Sequence, residues 1–361
     1  DSTEIDVCIL AYAGSEYYRH MRKSFDTRYM VRMYCKLRNL QLVEMDTVLP
    51  IYADVHIEDI HTHTSTSTVD IHLVDQTISK TARVKRDTKG IAKPEDDVDI
   101  RNFMETDVDI ITHKKLKLIS PELYSLIIYA QKHAEDIFIY TTRKGLSSSV
   151  VCSDCGHMLV CETCKKPLKL EIHQGETTYI CPQGHITISI DSVCLVCGSI
   201  HLQGLGSGTD ALVRELEDAV QMPIITIDSS TTTQAGVRKI FKDRKMATHI
   251  PTIYIGTELA LHQSLEEKFT YAAIASVETL LALPSPIAEL EAARVIDHMK
   301  EKTRDTLVIQ TRTPHNIVWQ SLKEKQWNTL TTSVQEDTHN LSLPPYTVHI
   351  QLYISTAHKK S

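Results

Sequence analysis

The residues with the clearest chemistry are seven cysteines that lie close together in the middle of the chain. Three Cys-x2-Cys pairs occur there, and a further cysteine is followed by a histidine. A Cys-x2-Cys turn places two thiolates on the same side of a tight loop, and two such turns complete a tetrahedral zinc site. Zinc displaces the thiol protons at neutral pH. The seven cysteines are Cys152, Cys155, Cys161, Cys164, Cys181, Cys194 and Cys197.

Seven cysteines do not fill two sites of four ligands each, so one ligand must be a different residue. His185, in the segment Cys181-Pro-Gln-Gly-His185, is the nearest candidate, and it would give one site three thiolates and one imidazole. His157 and His173 are weaker candidates. We predict two structural zinc ions, with the fourth ligand of the second site left open. Disulfides are the alternative, but three repeated Cys-x2-Cys pairs favour zinc.

Composition limits the class of protein. The 361 residues are 42% hydrophobic and 24% charged, which is typical of a globular protein of two or three domains and excludes a collagen or a mucin. The formal net charge of −7 means that any DNA affinity must come from local basic patches. The chain starts at Asp1 without a basic and apolar leader, and no stretch approaches the ~18 apolar residues of a membrane helix. We therefore expect no secretory signal and a fragment or processed product.

Helices and strands alternate on both sides of the cysteine window, which predicts an α/β fold with a parallel sheet. Ser120 followed by Pro121 is typical of a helix N-terminus. A further helix, over residues 16–39, is rich in arginine and tyrosine. The remaining predicted helices are 121–134, 209–220, 234–245, 286–302 and 314–327. The predicted strands are 5–13, 41–45, 136–140, 223–227, 251–255, 307–310 and 348–354.

Several short segments flank the cysteine window in a fixed order. They are Thr142-Arg143-Lys144-Gly145, Gly206-Ser207-Gly208-Thr209-Asp210, Tyr254-Ile255-Gly256-Thr257-Glu258, Val308-Ile309-Gln310-Thr311 and Pro344-Pro345-Tyr346. This order resembles the second lobe of the PriA (primosomal protein N′) helicases, superfamily 2 DNA helicases that restart stalled replication forks. More weakly, Thr27-Arg28-Tyr29 is similar to a segment of that family's first lobe.

The resemblance implies a fold and a set of domains. It implies a RecA-like helicase lobe with a parallel sheet, a zinc module inserted at about residues 150–200, and remnants of a first lobe. The implied domains are 1–50, the degenerate end of the first lobe; 51–118, a strand-and-connector region; 119–340, the second lobe with its zinc module; and 341–361, the start of a C-terminal domain.

The motifs for ATP hydrolysis do not match the family. Where the family has its Mg²⁺-binding Asp-Glu-x-His motif, this chain has Ala11-Tyr12-Ala13-Gly14, and residues 288–305 form a plain amphipathic helix in place of the arginine-finger segment. No G-x-x-x-x-G-K-[ST] loop occurs. Whether the chain is an enzyme is therefore left open. ATP and Mg²⁺ are doubtful cofactors, no catalytic residue is assigned, and the nucleotide-binding residues are unknown.

We predict a zinc-containing, helicase-like DNA-binding protein of the replication restart primosome, without ATPase activity in this chain. We expect it to be cytoplasmic and nucleoid-associated, with forked or single-stranded DNA and other primosome proteins as partners. One alternative is a zinc-stapled scaffold that binds replication proteins rather than DNA. Another is a fragment of an active 3′–5′ helicase whose phosphate loop lies upstream. The candidate DNA contacts are Arg28, Tyr29, Arg143 and Lys144, with a further basic run at residues 238–245.

Overall fold

The structure is a computed structural model that describes a subset of the residues. These are residues 7–11, 19–20, 25–45, 69–76, 118–142, 149–163, 165–173, 176–181, 185, 187–189, 193–205, 209–227, 232–244, 250–263, 268–282, 285, 287–324, 327–343 and 346–347. The chain divides into two compact units. Unit 1 comprises Asp1–Thr64 and Gln320–Ser361, and unit 2 comprises Ser65–Trp319.

The secondary structure elements are numbered here in chain order. The strands are β1 (Val7–Ala11), β2 (Arg19–His20), β3 (Phe25–Asp26), β4 (Gln41–Met45), β5 (Asp70–Asp75), β6 (Ile137–Tyr140), β7 (Ser149–Cys152), β8 (Lys169–His173), β9 (Glu176–Ile180), β10 (Thr187–Ser189), β11 (Leu202–Leu205), β12 (Ile224–Ile227), β13 (Ile253–Gly256), β14 (Phe269–Ile274) and β15 (Thr303–Thr311). The helices are α1 (Thr27–Arg38), α2 (Pro121–Lys132), α3 (Thr209–Ala219), α4 (Gln234–Asp243), α5 (Glu258–Gln263), α6 (Glu278–Leu281), α7 (Ala288–Lys302), α8 (Ile317–Glu324) and α9 (Asn328–Asn340).

Unit 2 is built on a six-stranded parallel sheet in the order β12-β13-β6-β14-β15-β5. The central strands β6 and β13 are buried along their whole length. Strands of this kind need helices on both faces of the sheet, which explains their near-continuous hydrophobic sequences. The α/β fold with a parallel sheet that the sequence predicts is confirmed, and it is the architecture of a RecA-like lobe.

Successive residues of β6 point to opposite faces of the sheet. Ile137 and Ile139 join a core in which Leu126 of α2 and Leu216 of α3 are fully buried. Phe138 lies on the other face, in an aromatic cluster, and its ring centroid is 5.2 Å from that of Phe269. Phe241 of α4 and Tyr254 of β13 complete this cluster. Each face of the sheet is thus sealed by side chains of the neighbouring helices and strands.

A smaller antiparallel sheet, in the order β10-β9-β8-β7-β11, lies between β6 and α3 in the chain. It carries the cysteine window and has its own small core. That core contains Val150, Leu159, Leu168 and Tyr179 together with two of the cysteines. A sheet of this size buries little apolar surface, so a metal ion or contacts with the lobe must add to its stability.

Unit 1 contains the parallel pair β1–β4, connected through α1, and the helix α9. The antiparallel pair β2–β3 precedes α1, which begins at Thr27, so the predicted helix over 16–39 is wrong at the described residues 19–20 and 25–26. Asp26 and Thr27 are residue types that favour a helix N-terminus, and this local signal was overlooked. Among the described residues, no helix is both long and apolar enough to cross a membrane.

The outcomes of the other sequence predictions differ from one element to the next. Ser120 caps α2 as predicted, because its hydroxyl accepts a hydrogen bond from Leu123 N at 3.1 Å. Strand β14 was not predicted, although it lies between β6 and β15. Strand β5 lies in the predicted strand-and-connector region 51–118, and it pairs with β15 at the sheet edge. The predicted strand 348–354 lies outside the described residues, and the domain boundaries stay a prediction.

A buried ion pair joins elements at the amino-terminal edge of the parallel sheet. Arg244, the C-cap residue of α4, donates from Nε to Asp136 Oδ2 at 2.5 Å, and the other oxygen of Asp136 accepts from Thr252 N at 2.9 Å. The guanidinium carbon also stacks 3.9 Å from the ring centroid of Phe269. The two charged side chains are 13% and 6% exposed, so water compensates neither charge if its partner is removed.

We predict that Arg244→Ala lowers the free energy of unfolding by about 3 kcal/mol, because Asp136 is left buried without its cation. Urea unfolding followed by circular dichroism measures this change. The matched control is Arg238→Ala, an exposed arginine on the same helix, which should change the free energy by about 0.5 kcal/mol or less. Equal effects of the two substitutions would contradict the prediction.

Candidate metal centre

The first group of cysteines is positioned by β7 and β11. Cys152 ends β7 and pairs with Leu202, the first residue of β11. The chain turns tightly after Cys152 and again after Cys194. The N–H groups of Gly156 and Gly198 donate to the carbonyls of Cys152 and Cys194, at 2.9 and 2.8 Å. Both glycines have positive φ, 74° and 71°, a conformation that residues with a Cβ atom adopt only at a cost. The two turns are therefore equivalent knuckles.

Four thiols meet where these knuckles face each other. The Sγ atoms of Cys152 and Cys197 are 3.6 Å apart, as are those of Cys155 and Cys194. All four sulfur atoms lie within 4.8 Å of one another. A tetrahedral zinc ion with bonds of about 2.3 Å separates its sulfur ligands by roughly 3.8 Å, so the four thiols fit one ligand shell. The measured separations exceed the ~2.05 Å of a disulfide bond.

The thiols of this group differ in acidity. Burial disfavours ionisation of Cys152, but hydrogen bonds from the backbone N–H groups of Cys155 and Asp154 and from the Cys197 thiol lower its pKa to about 7. Burial raises the pKa of Cys155 to about 12. A divalent cation bound between these thiols would favour their ionised form, because it would displace their protons.

A hydrogen-bonded brace connects the two knuckles beside the thiols. Asp154 Oδ2 accepts from the Ser199 hydroxyl at 2.6 Å and lies 3.0 Å from Nδ1 of His201. Two hydrogen bonds lower the pKa of Asp154. The bond from Ser199 has the larger effect and the bond from His201 the smaller. Ser153 N also donates to the carbonyl of His201 at 2.9 Å. The two knuckles are therefore held in register by contacts that need no metal.

Cys161, Cys181 and His185 form a second group. The Nδ1 atom of His185 lies 3.8 Å from Cys161 Sγ and 3.7 Å from Cys181 Sγ. The knuckle after Cys161 closes like the others, because Lys165 N donates to the Cys161 carbonyl at 2.8 Å, although here a lysine adopts the positive φ of 57°. Cys164, the remaining predicted ligand, lies outside the described residues.

The alternative histidine ligands occupy other positions. His157 is half-buried, and burial lowers its pKa. His173 ends β8, and its side chain is outside the described part of the chain. Within that part, His185 is the histidine grouped with Cys161 and Cys181. Two cysteine-rich groups are therefore arranged to hold metal ions, and their donor sets suit zinc.

A buried lysine and a half-buried arginine connect the cysteine module to other parts of unit 2. Lys166 donates from Nζ to Glu289 Oε2 of α7 at 3.0 Å and to the carbonyl of Ser285 at 3.2 Å. Arg312, just after β15, donates from Nη1 to the carbonyl of Gly156 at 3.3 Å. Sequence analysis missed both residues. Lys166 and Glu289 are 123 residues apart in the sequence, and Arg312 and Gly156 are 156 apart. No short sequence motif identifies pairs so far apart.

Among the predicted DNA contacts, the structure describes the side chain of Arg28. Arg28 is buried near the start of α1, with 7% of its surface exposed, which limits what it can offer to a phosphate. Tyr29 follows in α1, and its side chain is outside the described residues, as are Arg143 and Lys144. Their assignment to DNA binding stays a prediction.

The basic run on α4 is divided between two environments. Arg244 forms a salt bridge with Asp136 and therefore does not contribute to a surface patch. The other described basic residues of the run are exposed, namely Arg238, Lys239 and Lys242. This part of α4 is therefore a basic surface of three side chains.

The chain was compared with known proteins. No protein-family model matches it. It is 22% identical over 248 residues to replication restart protein PriA of Haemophilus influenzae, a match that covers 67% of this chain and 33% of that protein. PriA of Thermotoga maritima is 22% identical over 254 residues, covering 69% and 34% of the two chains. PriA of Chlamydia pneumoniae is 29% identical over 156 residues, covering 42% and 20%.

The chain spans about a third of the length of the first two relatives. Matches to PriA proteins of diverse bacteria agree with the parallel sheet and the grouped cysteines described above. The chain is therefore PriA-like over about two thirds of its length.

Proposed function

We propose that this chain is a zinc-containing, DNA-binding protein of replication restart that does not hydrolyse ATP. The observation that carries the proposal is the four-thiol group of Cys152, Cys155, Cys194 and Cys197, held against the parallel sheet of a PriA-like chain. The name of the relatives, replication restart protein, supplies the process. In this proposal the module is a rigid projection of the lobe that contacts DNA or a DNA–protein assembly.

Zinc has a structural role in this proposal. The four thiols would fill one tetrahedral ion completely, which leaves no open position for water or substrate. Cys161, Cys181 and His185 supply three ligands of a second ion, and Cys164 is the fourth that we assign. Bound zinc contributes folding free energy to small modules of this kind, because the unfolded chain has no preformed site.

We predict that the purified chain contains two zinc ions and that Cys194→Ser reduces the content to one. The substitution removes one ligand of the all-cysteine site and leaves the second group intact. Metal content is measured by inductively coupled plasma mass spectrometry, and a colourimetric chelator gives the release rate. The control is Cys35→Ser, a buried cysteine of α1 outside the window, which should retain both ions. A chain purified without zinc that also fails to bind added zinc would contradict the assignment.

DNA binding is proposed to come from local basic surfaces, since the whole chain is acidic. Arg238, Lys239 and Lys242 are exposed on α4, and Arg143 and Lys144 follow β6 in the sequence. Positive side chains release the counterions condensed on DNA, so each phosphate contact adds to the salt dependence of binding. Forked and single-stranded DNA are the substrates that we propose.

We predict that affinity for a forked DNA falls steeply as salt is raised and that Arg143→Ala with Lys144→Ala makes this dependence shallower. Each lost phosphate contact should reduce the slope of log K against log salt by about 0.7 to 0.9. Fluorescence anisotropy over a salt series measures the slope. The control is Lys300→Ala on α7, a half-buried lysine with no proposed DNA contact. Binding that is equal at low and high salt would contradict phosphate contacts.

A second candidate function is a scaffold that binds replication proteins rather than DNA. The knuckle at Cys194 favours it, because Leu195, Val196 and Ile200 are 80%, 66% and 69% exposed there. Exposed aliphatic side chains on a rigid turn are typical of a protein-binding surface. The DNA assay separates the two candidates, because a scaffold of this kind gives no salt-dependent DNA complex with or without a chelator.

The absence of ATP hydrolysis is proposed from the sequence. Phosphoryl transfer needs carboxylates that hold Mg²⁺ and an arginine that stabilises the transition state. Residues Ala11-Tyr12-Ala13-Gly14 carry no carboxylate, and the segment 288–305 lacks the family's arginine motif. The chain therefore has the parallel sheet of unit 2 but lacks these carboxylates and this arginine motif.

We predict that the purified chain, with and without forked DNA, releases phosphate from ATP no faster than a no-protein control. A coupled phosphate-release assay measures the rate, and an active helicase assayed in parallel shows that the DNA is competent. DNA-stimulated hydrolysis that copurifies with the chain would contradict the proposal and favour the third alternative, part of an active 3′–5′ helicase.

A further inference from the structure

Helix α1 in unit 1 presents its apolar stripe to solvent. Met30, Met33, Tyr34 and Leu37 recur with the spacing i, i+3, i+4 and i+7, so they lie along one face of the helix. They are 56%, 43%, 45% and 78% exposed. This is the reverse of an ordinary amphipathic helix, whose apolar stripe faces the core.

The opposite face of α1 is the one that is buried. Arg28 and Cys35, seven residues apart and therefore on the same side of the helix, are 7% and 2% exposed. Helix α1 connects the paired strands β1 and β4. Arg28 and Cys35 therefore lie on the buried side of α1, opposite the apolar stripe.

The exposed stripe has the dimensions of a helix-binding site. Its four residues span two turns, or about 10 Å at 1.5 Å per residue. Single exposed apolar residues are ordinary, but a continuous row marks a binding surface. Methionine is common at such surfaces, because its flexible thioether adapts to the partner.

The charged residues of α1 beside the stripe are all positive. Helix α1 contains no acidic residue, and Lys36 and Arg38 are exposed on either side of Leu37. The guanidinium carbon of Arg38 lies 6.0 Å from the ring centroid of Tyr34, which keeps it next to the apolar row. A partner with acidic residues at its flanks would complement these charges.

This combination disfavours other occupants. A second copy of α1 would bring two sets of basic residues together, which costs free energy through like-charge repulsion. Nucleic acid would satisfy the cations, but its phosphate backbone offers little apolar surface to cover Met30, Met33 and Leu37. An amphipathic helix satisfies both the apolar row and the charges.

We propose that the outer face of α1 docks an amphipathic helix of a partner protein, with apolar residues at the spacing i, i+3, i+4 and i+7 and acidic residues on both flanks. Recognition of this kind places the apolar face of one helix against an exposed apolar groove or row of another surface. The site is independent of the zinc module, because every residue that carries it belongs to α1.

The experiment uses the full chain and two synthetic peptides of about 20 residues, which is long enough for stable helices. Both peptides carry leucine at the stated spacing, and their flanks are glutamate in one and lysine in the other. Fluorescence anisotropy of the labelled peptides measures affinity. We expect the glutamate peptide to bind at least about tenfold more tightly than the lysine peptide.

Two variants test the site itself. Leu37→Glu should lower the affinity for the glutamate peptide by about tenfold or more, because it removes the most exposed apolar contact and adds a charge that repels glutamate. Lys36→Glu with Arg38→Glu should reverse the preference between the two peptides. The matched control is Ile250→Glu in unit 2, where the isoleucine is 65% exposed, and it should leave binding unchanged. Circular dichroism and thermal unfolding establish that each variant is folded.

Four results would overturn the proposal. They are failure to bind the glutamate peptide, binding that Leu37→Glu leaves unchanged, a dimer of the chain that Leu37→Glu dissociates, and binding of single-stranded oligothymidine or phosphatidylserine vesicles that the same variant abolishes. Sedimentation velocity detects the dimer, and anisotropy and vesicle flotation detect the other two ligands.

Discussion

The packing of four thiols at the junction of two knuckles is the constraint on which the cysteine module depends. The Sγ atoms of Cys152 and Cys197 are 3.6 Å apart, as are those of Cys155 and Cys194, and the pKa of Cys152 is lowered while that of Cys155 is raised. A bound divalent metal would displace the thiol protons, and its bonds would tie the end of β7 to the turn at Cys194. Asp154 already connects the knuckles, so the metal completes an arrangement that the backbone has prepared.

The regular parts of the fold were predictable because their signals are local. The alternation of helices and strands gave the parallel sheet, and Ser120-Pro121 gave the start of α2. Strand β14 was missed because its sequence, Phe-Thr-Tyr-Ala-Ala-Ile, contains two alanines, which disfavour strands when exposed. It forms a strand here because β6 and β15 pair with it on both sides and exclude water. Tertiary burial therefore outweighed local preference.

The grouping of the cysteines was predictable from the sequence, but their surroundings were not. Spacing along the chain identified the cysteines and His185, since metal ligands recur at short intervals. Charged residues carry no comparable signal. Arg244 belongs to a basic run in the sequence, yet Asp136 and Phe269 enclose it, while Arg238 on the same helix is exposed. The role of a cation is decided by partners that are more than 100 residues away, as for Arg244 and Asp136 at 108.

Contacts between residues far apart in the sequence also bear on the proposal that the chain does not hydrolyse ATP. Ligands of open α/β sheets bind at the carboxyl ends of the strands, where free N–H and hydroxyl groups can face an anion. At the ends of β14 and β15 such donors are already used. The buried carboxylate of Glu278 accepts from Ser276 at 2.9 Å, from the Thr311 hydroxyl at 2.8 Å and from Arg312 N at 2.6 Å. A phosphate placed there would have to compete with this internal anion for the same donors and would be repelled by its charge. Arg312, which follows β15, contacts the cysteine module through the carbonyl of Gly156.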